Sequence, residues 1–144
     1  MAARRPKIVA VLDSMWDWRA RTSGAGYAEA PRHFRINPEN YSGKRLYRIA
    51  GKDADLFVTN SCRELCGSAS DHGTPDPAWL RENLEHLDPI DVLLVCGKVA
   101  QGAYAKSGHE FERKILIPHP AARNWTNSKI EATARQVKDL ADAR

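Results

Sequence analysis

The chain has 144 residues, 42% hydrophobic and 28% charged, the profile of one folded domain able to bury a real core. It has no run of about 18 or more apolar residues, and the lead-in from Met1 to Lys7 passes straight into a short β-branched segment, not a signal-peptide core. A cytoplasmic protein without a membrane partner is therefore expected. The formal net charge of +4 is uneven: residues 1–52 carry 11 Lys and Arg against 4 Asp and Glu, and residues 53–144 carry 11 against 14.

Lys7-Ile-Val-Ala-Val-Leu12 opens the pattern as a continuous apolar, β-branched run. Runs of this kind, without period-two alternation, suit strands covered on both faces. The stretch from Asp13 to Ile36, with Gly24 and Gly26 at its centre, is long and irregular, and loops of that length are commonly functional. Asn37-Pro38 then signals a helix start, with Leu46, Tyr47 and Ile49 as its apolar positions and Gly51 as its stop. Asp55 to Thr59 is the second strand. Asp76-Pro77 caps a helix carrying Leu80, Leu84 and Leu87, which ends at Asp88-Pro89. Asp91 to Cys96 is the third strand, and Gly97 opens a helix that runs through Val99, Ala103 and Tyr104 to Gly108. Lys114 to Ile117 is the fourth strand. Ser128-Lys-Ile-Glu131 has capping-box spacing and starts a last helix that buries Ile130, Ala134, Val137 and Ala141.

Alternating strands and helices predict one domain over residues 1–144: a three-layer α/β/α sandwich around a central, mainly parallel four-stranded sheet. Ligands in such sheets bind beyond the carboxyl ends of the strands. Those ends carry Asp13-Ser-Met-Trp-Asp17, Asn60-Ser-Cys-Arg63, Gly97-Lys98 with Ala100-Gln101, and Pro118-His-Pro-Ala-Ala-Arg123. Polar groups thus converge on one rim and predict a pocket. Cys62, Cys66 and Cys96 contain no Cys-x-x-Cys pair, so neither a disulfide framework nor a four-cysteine metal centre is indicated. Adding His72 to Cys62 and Cys66 still leaves a fourth ligand missing, and no metal or organic cofactor is expected.

The basic residues of the first third, among them Arg4, Arg5, Lys7, Arg19, Arg21, Arg32, Arg35, Lys44, Arg45 and Arg48, would suit a phosphate backbone, whose counterions they would release. Trp16, Trp18, Tyr27 and Phe34 interleave with them, as base-stacking platforms would. DNA is the expected partner, and a monomer the expected state.

The ordered strings resemble the uracil-DNA glycosylase superfamily over about residues 7 to 142. Leu56-Phe-Val-Thr-Asn60 resembles the family's strand ending in the asparagine that reads the base edge. Val92-Leu-Leu-Val-Cys-Gly97 with Ala100-Gln101 resembles its strand, glycine and alanine-glutamine helix start, and Ile115-Leu-Ile-Pro-His-Pro120 resembles the strand entering its His-Pro-Ser motif. Gly43-Lys-Arg-Leu-Tyr-Arg-Ile-Ala-Gly51 resembles a helix of the mismatch-specific uracil and thymine branch. Two departures stand out. Met15 occupies the place of the family's water-positioning residue, and Ala121 replaces the serine.

The resemblance implies a glycosylase that flips uracil or another modified pyrimidine out of DNA and hydrolyses its N-glycosidic bond. His119 would donate to the departing base. Asp13 or Asp17 would position water or stabilise the sugar cation. Asn60 would read the base edge, with Trp16, Trp18, Tyr27 or Phe34 beneath it and His72 nearby. Lys98 and Gln101 would hold phosphate at a helix start, Arg19 and Arg21 would add backbone contacts, and Arg123 or Trp125 would fill the gap in the duplex. Two other readings remain open: a non-hydrolytic base- or DNA-binding relative, and an α/β enzyme acting on free nucleosides or nucleotides.

Overall fold

The computed structural model describes residues 4–13, 30–64 and 74–144. Four strands and four helices alternate: β1 (Lys7–Leu12), α1 (Tyr41–Ala50), β2 (Asp55–Asn60), α2 (Pro77–Leu87), β3 (Val92–Cys96), α3 (Gly97–Ser107), β4 (Lys114–Ile117) and α4 (Asn127–Asp142). The strands form one sheet in the order β2-β1-β3-β4, and every pairing is parallel. In register, Leu12 lies opposite Asn60 and Cys96 opposite Ile117, so all four carboxyl ends share one rim. The chain crosses from β2 over to β3, which places the topological switch between β1 and β3.

Both faces of the sheet are covered, as the unbroken apolar runs require. Ile8, Ala10, Leu56, Val58 and Leu94 pack with Leu46 and Ile49 of α1 and Ile130 and Val137 of α4. On the opposite face Val9, Val11, Leu93 and Val95 pack with Leu80 and Leu84 of α2 and with Ala100 and Ala103 of α3. Burying each such side chain contributes about 1.5–3 kcal/mol. Edge strand β4 alternates instead, with Ile115 and Ile117 buried and Leu116 exposed. The architecture is the expected three-layer sandwich.

Three boundaries differ from expectation, each for a local reason. Asn37 does not cap α1: its side chain accepts from the Glu39 amide in a turn, and Asn40 caps the helix by accepting from Gly43 N at 2.6 Å. In α4, Thr126 accepts from Lys129 N, which moves the start ahead of the Ser128-Glu131 pair. Within the segment expected to be irregular, Phe34 exchanges two backbone hydrogen bonds with Val58 and adds an antiparallel bridge to the outer edge of β2.

The opposite, amino rim is tied together by Asp91. Its carboxylate, 3% exposed, takes two hydrogen bonds from Arg4 at 2.9 and 3.0 Å and one from Lys7 N at 2.6 Å, with Arg144 Nε at 3.7 Å. Burial opposes ionisation, but the Arg4 and Lys7 hydrogen bonds and the charges of Arg4 and Arg144 outweigh it and hold the carboxyl below its usual range. Asp91→Ala should cost about 2–3 kcal/mol, less than a fully buried pair because the Arg4 side chain is 56% exposed. A depressed carboxylate pKa stabilises the fold above its unfolded value of about 4, and that contribution is lost as pH falls through the lower folded value. Urea midpoints of the wild type and Asp91→Asn should therefore differ at neutral pH and converge in acid. An equal gap at both pH values would contradict the assignment.

Candidate functional site at the carboxyl rim

Asn60 ends β2 with its side chain on the α1/α4 face, in alternation with Leu56 and Val58. It is 1% exposed, and neither Oδ1 nor Nδ2 has a hydrogen-bond partner among the described residues. Its polar neighbours are all satisfied. Thr59 Oγ1 donates to Arg32 O at 2.7 Å and accepts from Asn83 Nδ2, whose own Oδ1 accepts from Arg32. Ser61 Oγ donates to Leu12 O at 2.8 Å. The other buried side-chain group without a hydrogen-bond partner among the described residues is the Tyr104 hydroxyl. An unpaired buried polar group costs about 1–3 kcal/mol, so a wholly unpaired amide at a strand end is a cost that a ligand would relieve.

Asp13 follows β1 and is fixed from both directions. Its carbonyl accepts from Ser61 N and Cys62 N at 3.0 Å each, and its carboxylate accepts from the Cys62 thiol at 3.7 Å. His119 lies two residues beyond β4 and is half-buried. Its Nδ1 accepts from Ala121 N at 3.0 Å, so the neutral ring carries its proton on Nε2. Burial lowers the His119 pKa, and the nearby Asp13 charge partly opposes that. The ring is therefore neutral at neutral pH, with Nε2–H as a donor. Three strand spacings, about 14 Å, separate the backbones of β2 and β4, so Asn60 ends one edge strand of the rim, His119 follows the other, and Asp13 follows β1 between them.

The His119 loop is held by residues that sequence reasoning assigned elsewhere or overlooked. Gly97, at φ 86°, gives α3 a start no side chain would tolerate easily, and a Cβ there would lie 3.3 Å from His119 Cβ. Gln101, near the start of α3, donates its side-chain amide to the carbonyls of Val95 and Ile117 at 3.3 and 3.1 Å, bracing the ends of β3 and β4. Arg45, expected to meet DNA, reaches across from α1 and donates to the carbonyls of Pro120 and Ala122 at 2.9 and 2.7 Å while lying over the Tyr41 ring. Nothing local in the sequence marks this contact, which joins residues 75 positions apart.

Trp125, expected as one of two residues that would fill the gap in a duplex, is folded back by a turn from Ala122, is 3% exposed and belongs to the α1/α4-side core. Phe34 is half-buried against the same core. Arg123 and Lys98 are exposed, Lys98 in the first turn of α3. Cys62 and Cys96 are buried, and burial pushes the Cys96 thiol far up, which leaves it neutral and inert. Met15, Trp16, Asp17, Trp18, Arg19, Arg21, Tyr27, Cys66 and His72 lie outside the described residues.

Among the described residues, the cations of the basic stretch are spread over both ends of the sheet, with Arg32 and Arg45 near this rim. Arg4, Arg5 and Lys7 sit at the amino rim, where Arg4 pairs with Asp91 and Arg5 with Asp55. Arg32 pairs with Glu82 and Arg48 with Glu131, and Arg35 stacks on Phe57. Of the named cations of the first third that are described, Lys44 alone has neither a salt bridge, a hydrogen bond from its side chain nor a ring contact among the described residues. Compared with known proteins, the chain matches no protein-family model and no curated protein.

Proposed function

We propose that this chain is a DNA glycosylase that hydrolyses the N-glycosidic bond of uracil or another modified pyrimidine once the base is extrahelical. The carrying observation is the orphaned Asn60 amide, which offers one acceptor and two donors in a buried site. An imide edge, with an N–H between two carbonyls, complements that set. In hydrolysis the bond from sugar C1′ to the base nitrogen breaks, its electron pair leaves with the base, and water adds to C1′. Negative charge then grows on the base, where the neutral His119 Nε2–H can donate to it. Positive charge grows on the sugar, and Asp13 supplies the opposing carboxylate and accepts the proton of the attacking water.

One observation favours a second reading. Because the described basic residues of the first third are largely paired or remote from this rim, the base could instead arrive on a free nucleoside or nucleotide. Both readings are tested by incubating the protein with oligonucleotides containing uracil, other modified pyrimidines or mismatches, and with the matching free nucleosides. Alkaline cleavage reports abasic sites, and chromatography reports released base. Strand cleavage confined to modified-pyrimidine oligonucleotides is expected. Base release from nucleosides alone would support the second reading, and no release from any substrate would refute hydrolysis.

A further inference from the structure

The positive charge that the candidate site does not use collects at the other end of the sheet. There a cavity of about 700 Å³ opens between the C-terminal halves of α1 and α4 and the segment leading into β1, within the size range of small-molecule sites. Seven Lys and Arg side chains line it against two carboxylates, Asp53 and Asp142, with apolar surface from Ala50, Ala54, Ala134 and Val137.

Several of these cations have structural duties. Arg5 donates to the carbonyls of Lys52 and Ala54. Arg144 donates to the carbonyls of Ala141 and Arg4, while Gly51 N satisfies Tyr47 O at the end of α1. The helix ends, whose carbonyls would otherwise repel an anion, are thereby partly covered. Arg5 also pairs with Asp55 and Arg48 with Glu131, and a cationic excess of two, seven cations against Asp53, Asp55, Asp91, Glu131 and Asp142, remains among the described residues. Arg4 and Arg144 share one carboxylate, Asp91. Lys138 reaches Asp142 only at 4.0 Å, and Lys52 and Arg135 have no salt bridge among the described residues. No aromatic side chain among the described residues lines the cavity, so a ligand would be held there through its charge and not by ring stacking.

We propose that this cavity binds a phosphate-bearing ligand, its phosphates held between Lys52, after α1, and Arg135 and Lys138 of α4. Fork-like arginine donors suit phosphate oxygens, and lysine adds a mobile point charge. The proposal is independent of the glycosylase reading. Phosphates of this kind occur in free nucleotides and in the nucleic-acid backbone, and the test separates the two.

The whole protein is titrated with inorganic pyrophosphate, with ATP and with a short unmodified single-stranded oligonucleotide, and backbone amides are followed by NMR. Pyrophosphate should shift the amides of residues 51–54 and 134–138. ATP shifting them at lower concentration than the oligonucleotide identifies a nucleotide site, and the reverse order a backbone site. The exposed pair Lys52→Glu with Arg135→Glu should weaken pyrophosphate binding by about tenfold or more, since every factor of ten is one modest charge-assisted contact. Lys106→Glu with Lys114→Glu, the same charge change on other elements, should leave it unchanged. Absence of shifts at the cavity with all three probes overturns the proposal, as does equal weakening by the control pair.

Discussion

Replacing His119 with alanine should slow base release in a single turnover by about 10²–10³-fold, the usual effect of removing one preorganised donor to a developing negative charge. Affinity for the same oligonucleotide should change far less, because the donor's partner gains its charge only in the transition state. The fold gives reasons to expect a well-placed ring. Nδ1 is occupied by Ala121 N, the loop backbone is held by Arg45 through two carbonyls, and Gly97 allows α3 to approach His119 closely. A rate unchanged in His119→Ala would remove the histidine from the mechanism. A loss of affinity equal to the loss of rate would make it a binding group only.

The sheet was legible in the sequence because its signals are local. β1 and β3 are apolar without interruption since both faces are covered, and Asp76-Pro77 caps α2 as expected, with the Asp76 side chain accepting from Trp79 N. The cap of α1 was misplaced because Asn37 and Asn40 are equally good capping residues, and only the turn between them selects one. Convergence of Asn60, Asp13 and His119 on one rim followed from parallel topology alone. What the sequence hid depends on distant partners. The charge of the first third was visible, but its distribution between Asp91, Asp55, Glu82 and Glu131 was not. The side-chain amide of Gln101 braces two strand carbonyls that no local signal in the sequence pointed to. Trp125 stands in an exposed-looking loop, and burial beside α4 decides its role.

Asn60→Leu should have opposite effects on stability and on function. Leucine nearly matches asparagine in shape and carries no polar atom, so removing the unpaired amide from a buried site should raise folding stability by about 1–3 kcal/mol. The neighbouring Thr59, Ser61 and Asn83 keep their own partners, so the substitution should leave the rest of the rim intact. Function should fall steeply. A site built to hydrogen-bond its substrate discriminates by about 10⁴-fold against a partner lacking those groups, and deleting the site's half of the pairing should cost about 10³–10⁴-fold in kcat/KM for the preferred base. Sites that hold an unsatisfied group for a ligand commonly sacrifice stability in this way. The decisive measurement pairs urea denaturation of wild type and Asn60→Leu with single-turnover base release from the best oligonucleotide substrate. Higher stability together with lost base release is the predicted result; unchanged base release, or a destabilised variant, would contradict the assignment of Asn60 as the group that reads the base.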